Sequence, residues 1–259
     1  MNTCYYYQSF VGLDKILTHP KDLDILIISS IHFGKTKENK NYIHLNDNDP
    51  NNIIFNKLWE ETKELSEKGT TIMCMMGGAG GAYQTLFSDF KVYYPLLLKM
   101  IKDRPWIKGI DIDIEEEVDI KNVKMLIDQL DNDFGKEFII TMAPLGSSLE
   151  KDGGSMGGFN YKELYDSEQG KRINWFNCQC YYEYTVDIID NITKNGYPPE
   201  KIIMGMESGQ FTDSSFLKNI QGMKKKYPKL KGVYDWEYLN APPDKTDPSQ
   251  WCKLIKGIH

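Results

Sequence analysis

The richest chemistry lies in Gly109-Ile110-Asp111-Ile112-Asp113-Ile114-Glu115, where carboxylates alternate with isoleucines. A strand sends successive side chains to opposite faces. Asp111, Asp113 and Glu115 therefore share one face and the isoleucines the other. The Cα atoms of Asp113 and Glu115 then stand roughly 6.6 Å apart, close enough for their carboxyl groups to couple. Three inward carboxylates are costly unless they are paired, protonated or bound to metal. Mutual repulsion is expected to raise at least one of their pKa values, which suits a general acid working near neutral pH. A calcium loop does not fit, because the sixth residue from Asp111 is Glu116 rather than Gly and the twelfth is Asn122 rather than Glu. A magnesium site stays open. A solvated acidic edge is disfavoured by the isoleucines, so acid/base chemistry on a neutral substrate is the preferred reading.

Other candidate motifs are weaker. The run Gly77-Gly78-Ala79-Gly80-Gly81 has neither the GK[ST] of a phosphate loop nor the spacing of a dinucleotide fingerprint. It suits close approach of backbone to a ligand. The cysteines Cys4, Cys74, Cys178, Cys180 and Cys252 are odd in number and show no CxxC pair, which reads as reduced thiols in a cytosol-like compartment. His19, His32, His44 and His259 have no metal spacing, and His32 reads as a core histidine. No metal and no cofactor is expected.

Elements must position these groups. Strand-length apolar runs fall at Thr3–Gln8, Ile25–His32, Thr71–Met76, Gly109–Glu115, Phe138–Ala143, Trp175–Tyr181, Lys201–Met206 and Gly232–Trp236. Between them lie helical patterns at Ile53–Lys68, Phe87–Asp103, Asp119–Phe134, Tyr161–Gly170, Val186–Lys194, Ser214–Tyr227 and Pro248–Lys256. Val11–Asp22 has only weak helical character, while Asn46–Asn52 and Gly146–Gly158 read as loops. Strands alternating with helices imply parallel pairing, and the expected fold is α/β: a single (β/α)8 TIM barrel spanning residues 1–259. Glu115 would then reach the C-terminal mouth of the barrel, and the Gly146–Gly158 loop its rim.

Composition sets the outer bounds. A chain of 259 residues with 41% hydrophobic and 26% charged residues is globular rather than disordered. Its 31 Lys+Arg against 37 Asp+Glu give −6, which argues against nucleic acid as a partner. No apolar run approaches a membrane span of about 18 residues, and the start MNTCYYYQSF does not read as a signal peptide. We expect a cytoplasmic monomer with no membrane partner. The 16 Tyr and 5 Trp are compatible with a stacking cleft for sugars or bases.

The carboxylate strand resembles the DGxDxDxE signature of glycoside hydrolase family 18, the chitinases and endo-β-N-acetylglucosaminidases, with Lys108 in place of the leading Asp. That departure sits at the start of the strand and is expected to touch stability more than activity. The resemblance runs along the chain in order: Ile25–Gly34, Met75–Gly81, Thr141-Met142-Ala143-Pro144, Gln179-Cys180-Tyr181 and Gly232–Tyr238. It is nearest to the fungal and bacterial endo-β-N-acetylglucosaminidase-like subgroup. It implies a retaining, substrate-assisted hydrolysis of β-1,4 bonds of N-acetylglucosamine in an oligosaccharide or N-glycan substrate. By the same resemblance Glu115 is the general acid, Asp113 orients the acetamido group, Asp111 tunes it from beneath, and Tyr181 holds the acetamido oxygen. Gln179 supports the sugar and Trp236 forms the floor under its ring. Gly77, Gly78, Tyr83, Met142, Glu207 and Glu237 are expected around the cleft from their place at strand ends. A chitinase and a non-catalytic sugar-binding barrel are the rival readings.

Overall fold

The computed structural model describes residues 1–151 and 154–258. Asp152 and Gly153, inside the loop expected at Gly146–Gly158, and His259 lie outside the described residues. The strands are β1 (Asn2–Tyr7), β2 (Ile25–Lys35), β3 (Asn41–Leu45), β4 (Thr71–Gly77), β5 (Ile107–Asp113), β6 (Ile139–Met142), β7 (Trp175–Gln179), β8 (Ile202–Glu207) and β9 (Gly232–Trp236). All but β3 pair in parallel in chain order, and β1 closes the ring by pairing with both β2 and β9. The result is the expected (β/α)8 barrel.

β3 is an addition that the sequence pattern did not announce. It runs antiparallel to the far end of β2, with Ile31 opposite Leu45 and Lys35 opposite Asn41. Other segments differ from expectation as well. The helix expected to begin at Phe87 is two helices, Ala82–Ser88 and Phe90–Lys102, separated by Asp89 in a non-helical conformation (φ −153°). The loop after β6 opens with a short helix, Gly146–Glu150. The weak Val11–Asp22 pattern contains the short helix Asp14–Thr18.

The helices form where periodicity and caps agree. In Ile120–Phe134, Asp119 caps the start by accepting from the Lys121 N–H, and Gly135 ends it with φ +79°. Its buried face is Val123, Leu126, Ile127 and Leu130, each burial stabilising by about 1.5–3 kcal/mol. The barrel wall thereby divides two cores. Tyr6, Met73, Met75, Trp175 and Tyr234 fill the inside, while Ile110, Ile112, Ile114, Cys178 and Cys180 pack outward under the helices. No described helix is long and apolar enough to cross a membrane.

Candidate active site

The carboxylates of the β5 segment face inward and the isoleucines outward, as alternation requires. β5 itself ends at Asp113, so Glu115 stands two residues past the strand rather than in it. Ile114 still packs in the outer core, which keeps Glu115 aimed at the mouth. Asp111 is fully buried and accepts three hydrogen bonds: from Tyr6 Oη at 2.6 Å, Thr141 Oγ1 at 2.6 Å and Asn177 Nδ2 at 3.0 Å. Burial pushes its carboxyl up, and those three bonds pull it back towards the charged form. Asp113 lies one layer higher. Burial first, then the charges of Glu115 and Asp111, push its carboxyl well above the usual carboxylate range. Gln179 Nε2 is shared between this pair, donating to Asp113 Oδ1 at 3.2 Å and Glu115 Oε1 at 3.3 Å, and also to the Ala143 carbonyl at 2.9 Å.

Above the ladder is a cavity of about 250 Å³. Its wall includes Gly77, Gly78, Asp113, Glu115, Gln179, Tyr181 and Trp236 from the expected set. The glycines are needed for a close approach of backbone to backbone. Gly78 N–H donates to the Asp113 carbonyl at 2.9 Å, and a Cβ on Gly77 would lie 2.1 Å from that oxygen, at φ +97°. Tyr181 accepts from Tyr234 Oη at 3.2 Å, and Tyr6 packs against Tyr234 and Trp236 with centroids 4.9 and 5.1 Å away. Ser208 clasps the end of β9: its N–H donates to the Trp236 carbonyl at 2.6 Å, and its hydroxyl reaches Asp235 Oδ2 at 2.8 Å and the Glu237 carbonyl at 2.5 Å.

Four expected cleft residues fall elsewhere. Met142 pairs in register with Ile112 and, like it, points into the outer core, while Ala143 takes the place on the cavity wall. Tyr83 is buried, with its hydroxyl donating to the Met76 carbonyl at 2.6 Å. Glu237 accepts from the backbone N–H groups of Gln8, Ser9 and Leu239, holding the β1 and β9 loops together. Glu207, half-buried at the end of β8, is off the cavity wall, and its carboxylate lies near enough to Tyr182 to push that hydroxyl up. His32, read as core, is instead half-buried at the rim, stacked on His44 at 5.6 Å and bonded to the Ala79 carbonyl. Lys108 is exposed, and its ammonium donates to the Pro105 carbonyl at 2.7 Å. Conversely, Tyr6, Gln8, Ser30, Met75 and Tyr234 line the cavity without having been singled out. Parity along β1, β4 and β9 was the available signal for Tyr6, Gln8, Met75 and Tyr234, whereas Ser30 lies at the irregularity in β2 and breaks parity. Among the described residues no cluster of His, Cys, Asp or Glu is arranged to hold a metal ion.

The chain matches no family profile and no curated protein sequence. Its fold does match solved structures. One is a fungal endo-β-N-acetylglucosaminidase from glycosyl hydrolase family 18, 30% identical with a TM-score of 0.88, covering 100% of this chain and 98% of that one. Another is a chitinase of Aspergillus fumigatus, 27% identical with a TM-score of 0.85, covering 98% of each chain. A chitinase of Pseudoalteromonas aurantia, 21% identical with a TM-score of 0.75 over the whole of both chains, shares the fold.

Proposed function

The chain belongs to glycosyl hydrolase family 18 and is a glycosidase; on that premise we propose that it is a retaining endo-β-N-acetylglucosaminidase cleaving the chitobiose core of N-linked glycans. The observation that carries this reading is the inward ladder Asp111, Asp113, Glu115 beneath a cavity walled by Tyr181 and Trp236. The choice of N-glycan rests on likeness to the fungal enzyme over its whole length.

In the proposed reaction Glu115 gives its proton to the glycosidic oxygen as the bond from C1 breaks and the electron pair leaves with that oxygen. The 2-acetamido carbonyl oxygen of the same sugar attacks C1, forming a cyclic oxazolinium ion, so the substrate supplies its own nucleophile in place of a second carboxylate. Tyr181 donates to that carbonyl oxygen and holds it in line. Asp113 receives the acetamido N–H and stabilises the positive charge that develops there. Water then attacks C1 from the face the leaving group vacated, displacing the acetamido oxygen from C1 and restoring the acetamido group, with Glu115 taking the water's proton, so configuration is retained. Asp111 lies below, and its charge adds to the rise of the Asp113 carboxyl. Trp236 supplies an apolar floor for the sugar ring.

The test is mass spectrometry of a high-mannose glycoprotein and of chitopentaose, each incubated with the protein, with Glu115→Gln as control. Release of glycan with one N-acetylglucosamine left on Asn, and a fall of about 10²–10⁴-fold in the variant, is the expected result. Cleavage of chitopentaose alone would move the substrate to chito-oligosaccharides, the reading that the likeness to the Aspergillus fumigatus chitinase favours. Undiminished turnover by Glu115→Gln would remove that residue from the mechanism.

A further inference from the structure

The cavity is about the size of one sugar, whereas the proposed substrates are chains. Just outside it the chain makes a sharp turn after β7. The Glu183 N–H closes on the Cys180 carbonyl at 3.2 Å, with Tyr181 and Tyr182 at the two central positions. Tyr181 turns inward to the cavity wall. Tyr182 turns outward and is 81% exposed, the highest value among the exposed large apolar side chains described.

Its backbone makes this placement notable. Tyr182 has φ +66°, at the turn position where glycine or asparagine is favoured because a Cβ is strained there. A tyrosine at such a position contributes nothing to the core, and a glycine would fit the turn better. Strain of this kind is kept where the side chain has a use outside folding. The Tyr182 hydroxyl lies near the Glu207 carboxylate at the end of β8, whose charge pushes it up. Glu207 pairs in register with Trp236, one strand over, which carries the proposed sugar floor. The ring therefore stands at the rim of β7 and β8, largely open to solvent.

We propose that Tyr182 is a stacking platform for the sugar that continues out of the cavity across the β7–β8 rim. An open aromatic face receives the apolar C–H face of a pyranose, and the adjoining Glu207 carboxylate accepts hydrogen bonds from its hydroxyls. This assignment rests on the glycosidase reading of the cavity and adds to it a second contact that selects for chain length.

Binding measured on the Glu115→Gln protein separates the two. Titration calorimetry with chitopentaose is expected to show about a ten-fold weaker Kd after Tyr182→Ala. Tyr182→Phe and Tyr182→Trp should stay within a few-fold of the parent, because the aromatic face is kept. Weak binding of free N-acetylglucosamine, followed by ligand-observed NMR, should not change, since one sugar fits the cavity. Tyr182→Gly should lose the same affinity while melting no lower than the parent, because it relieves the turn. Chitopentaose affinity within two-fold in Tyr182→Ala, or equal loss for both sugars, would overturn the platform while leaving the glycosidase reading intact. If the Glu115→Gln protein itself bound neither sugar, both readings would fall together.

Discussion

Asp111 and Asp235 are both fully buried aspartates on barrel strands, one facing in and one facing out. Inside, Asp111 receives three donors and leaves no oxygen unbonded. Outside, Asp235 sits beside Tyr5 and Met206, and among the described residues it receives only the Ser208 hydroxyl while its Oδ1 finds no partner. Burial pushes both carboxyls up; at Asp111 the donors offset much of it, and at Asp235 the single donor offsets little, with Glu237 and Glu207 adding to the rise. Burial alone therefore does not decide whether an acid is held charged. The donors built around it pull it back towards the charged form, and the barrel gathers three of them at the base of the inward ladder.

That contrast can be broken most forcefully at Asp111. Asp111→Ala would strand Tyr6, Thr141 and Asn177 as buried donors and should cost about 3 kcal/mol or more, read by denaturant unfolding. Asp111→Asn keeps one acceptor and should cost less than half of that; equal costs would mean the three donors do not act on the carboxylate. At Asp235 the expected effect is smaller and opposite in sign. Its folded pKa lies above the unfolded value, so its stabilising share is complete below about pH 4 and is lost as pH rises towards the folded pKa. Asp235→Asn should melt like the parent near pH 4 and about 2–4 °C higher at pH 8, roughly 1 kcal/mol. A lower melting point at pH 8 would show that the outer carboxylate is charged and supported after all. The smallest effect is expected at Lys108, where the family signature has Asp. Lys108→Asp changes an exposed side chain and should move stability by less than about 0.5 kcal/mol and leave turnover unchanged.

Alternation made the inner ladder readable from the sequence. Asp111, Asp113 and Glu115 separate from Ile110, Ile112 and Ile114 by parity alone, and the barrel followed from the regular exchange of strand and helix patterns. The outward direction of Cys178 and Cys180 came from the same rule. The failures have physical causes. Met142 is expected in the cleft because it ends a strand, although parity with Thr141, which faces Asp111, turns it outward. Asn41–Leu45 is short and mixes polar with apolar residues, so only pairing with β2 makes it a strand. Ala82–Ser88 was hidden behind a run of glycines and cut short at Asp89. Tyr182 carries no pattern at all, because the backbone angle that sets it apart is not encoded in composition.

The five thiols give the barrel a property of another kind. Every cysteine is unpaired and buried, and burial pushes those of Cys74 and Cys180 up to about 12. An alkylating reagent meets no reactive sulfur on the closed protein, since the thiolate is the attacking form. Modification must wait for the wall to open. Because Cys4, Cys74 and Cys178 lie on β1, β4 and β7, the sites labelled first would report which sector of the ring parts earliest, making the native cysteines a built-in stopwatch for unfolding.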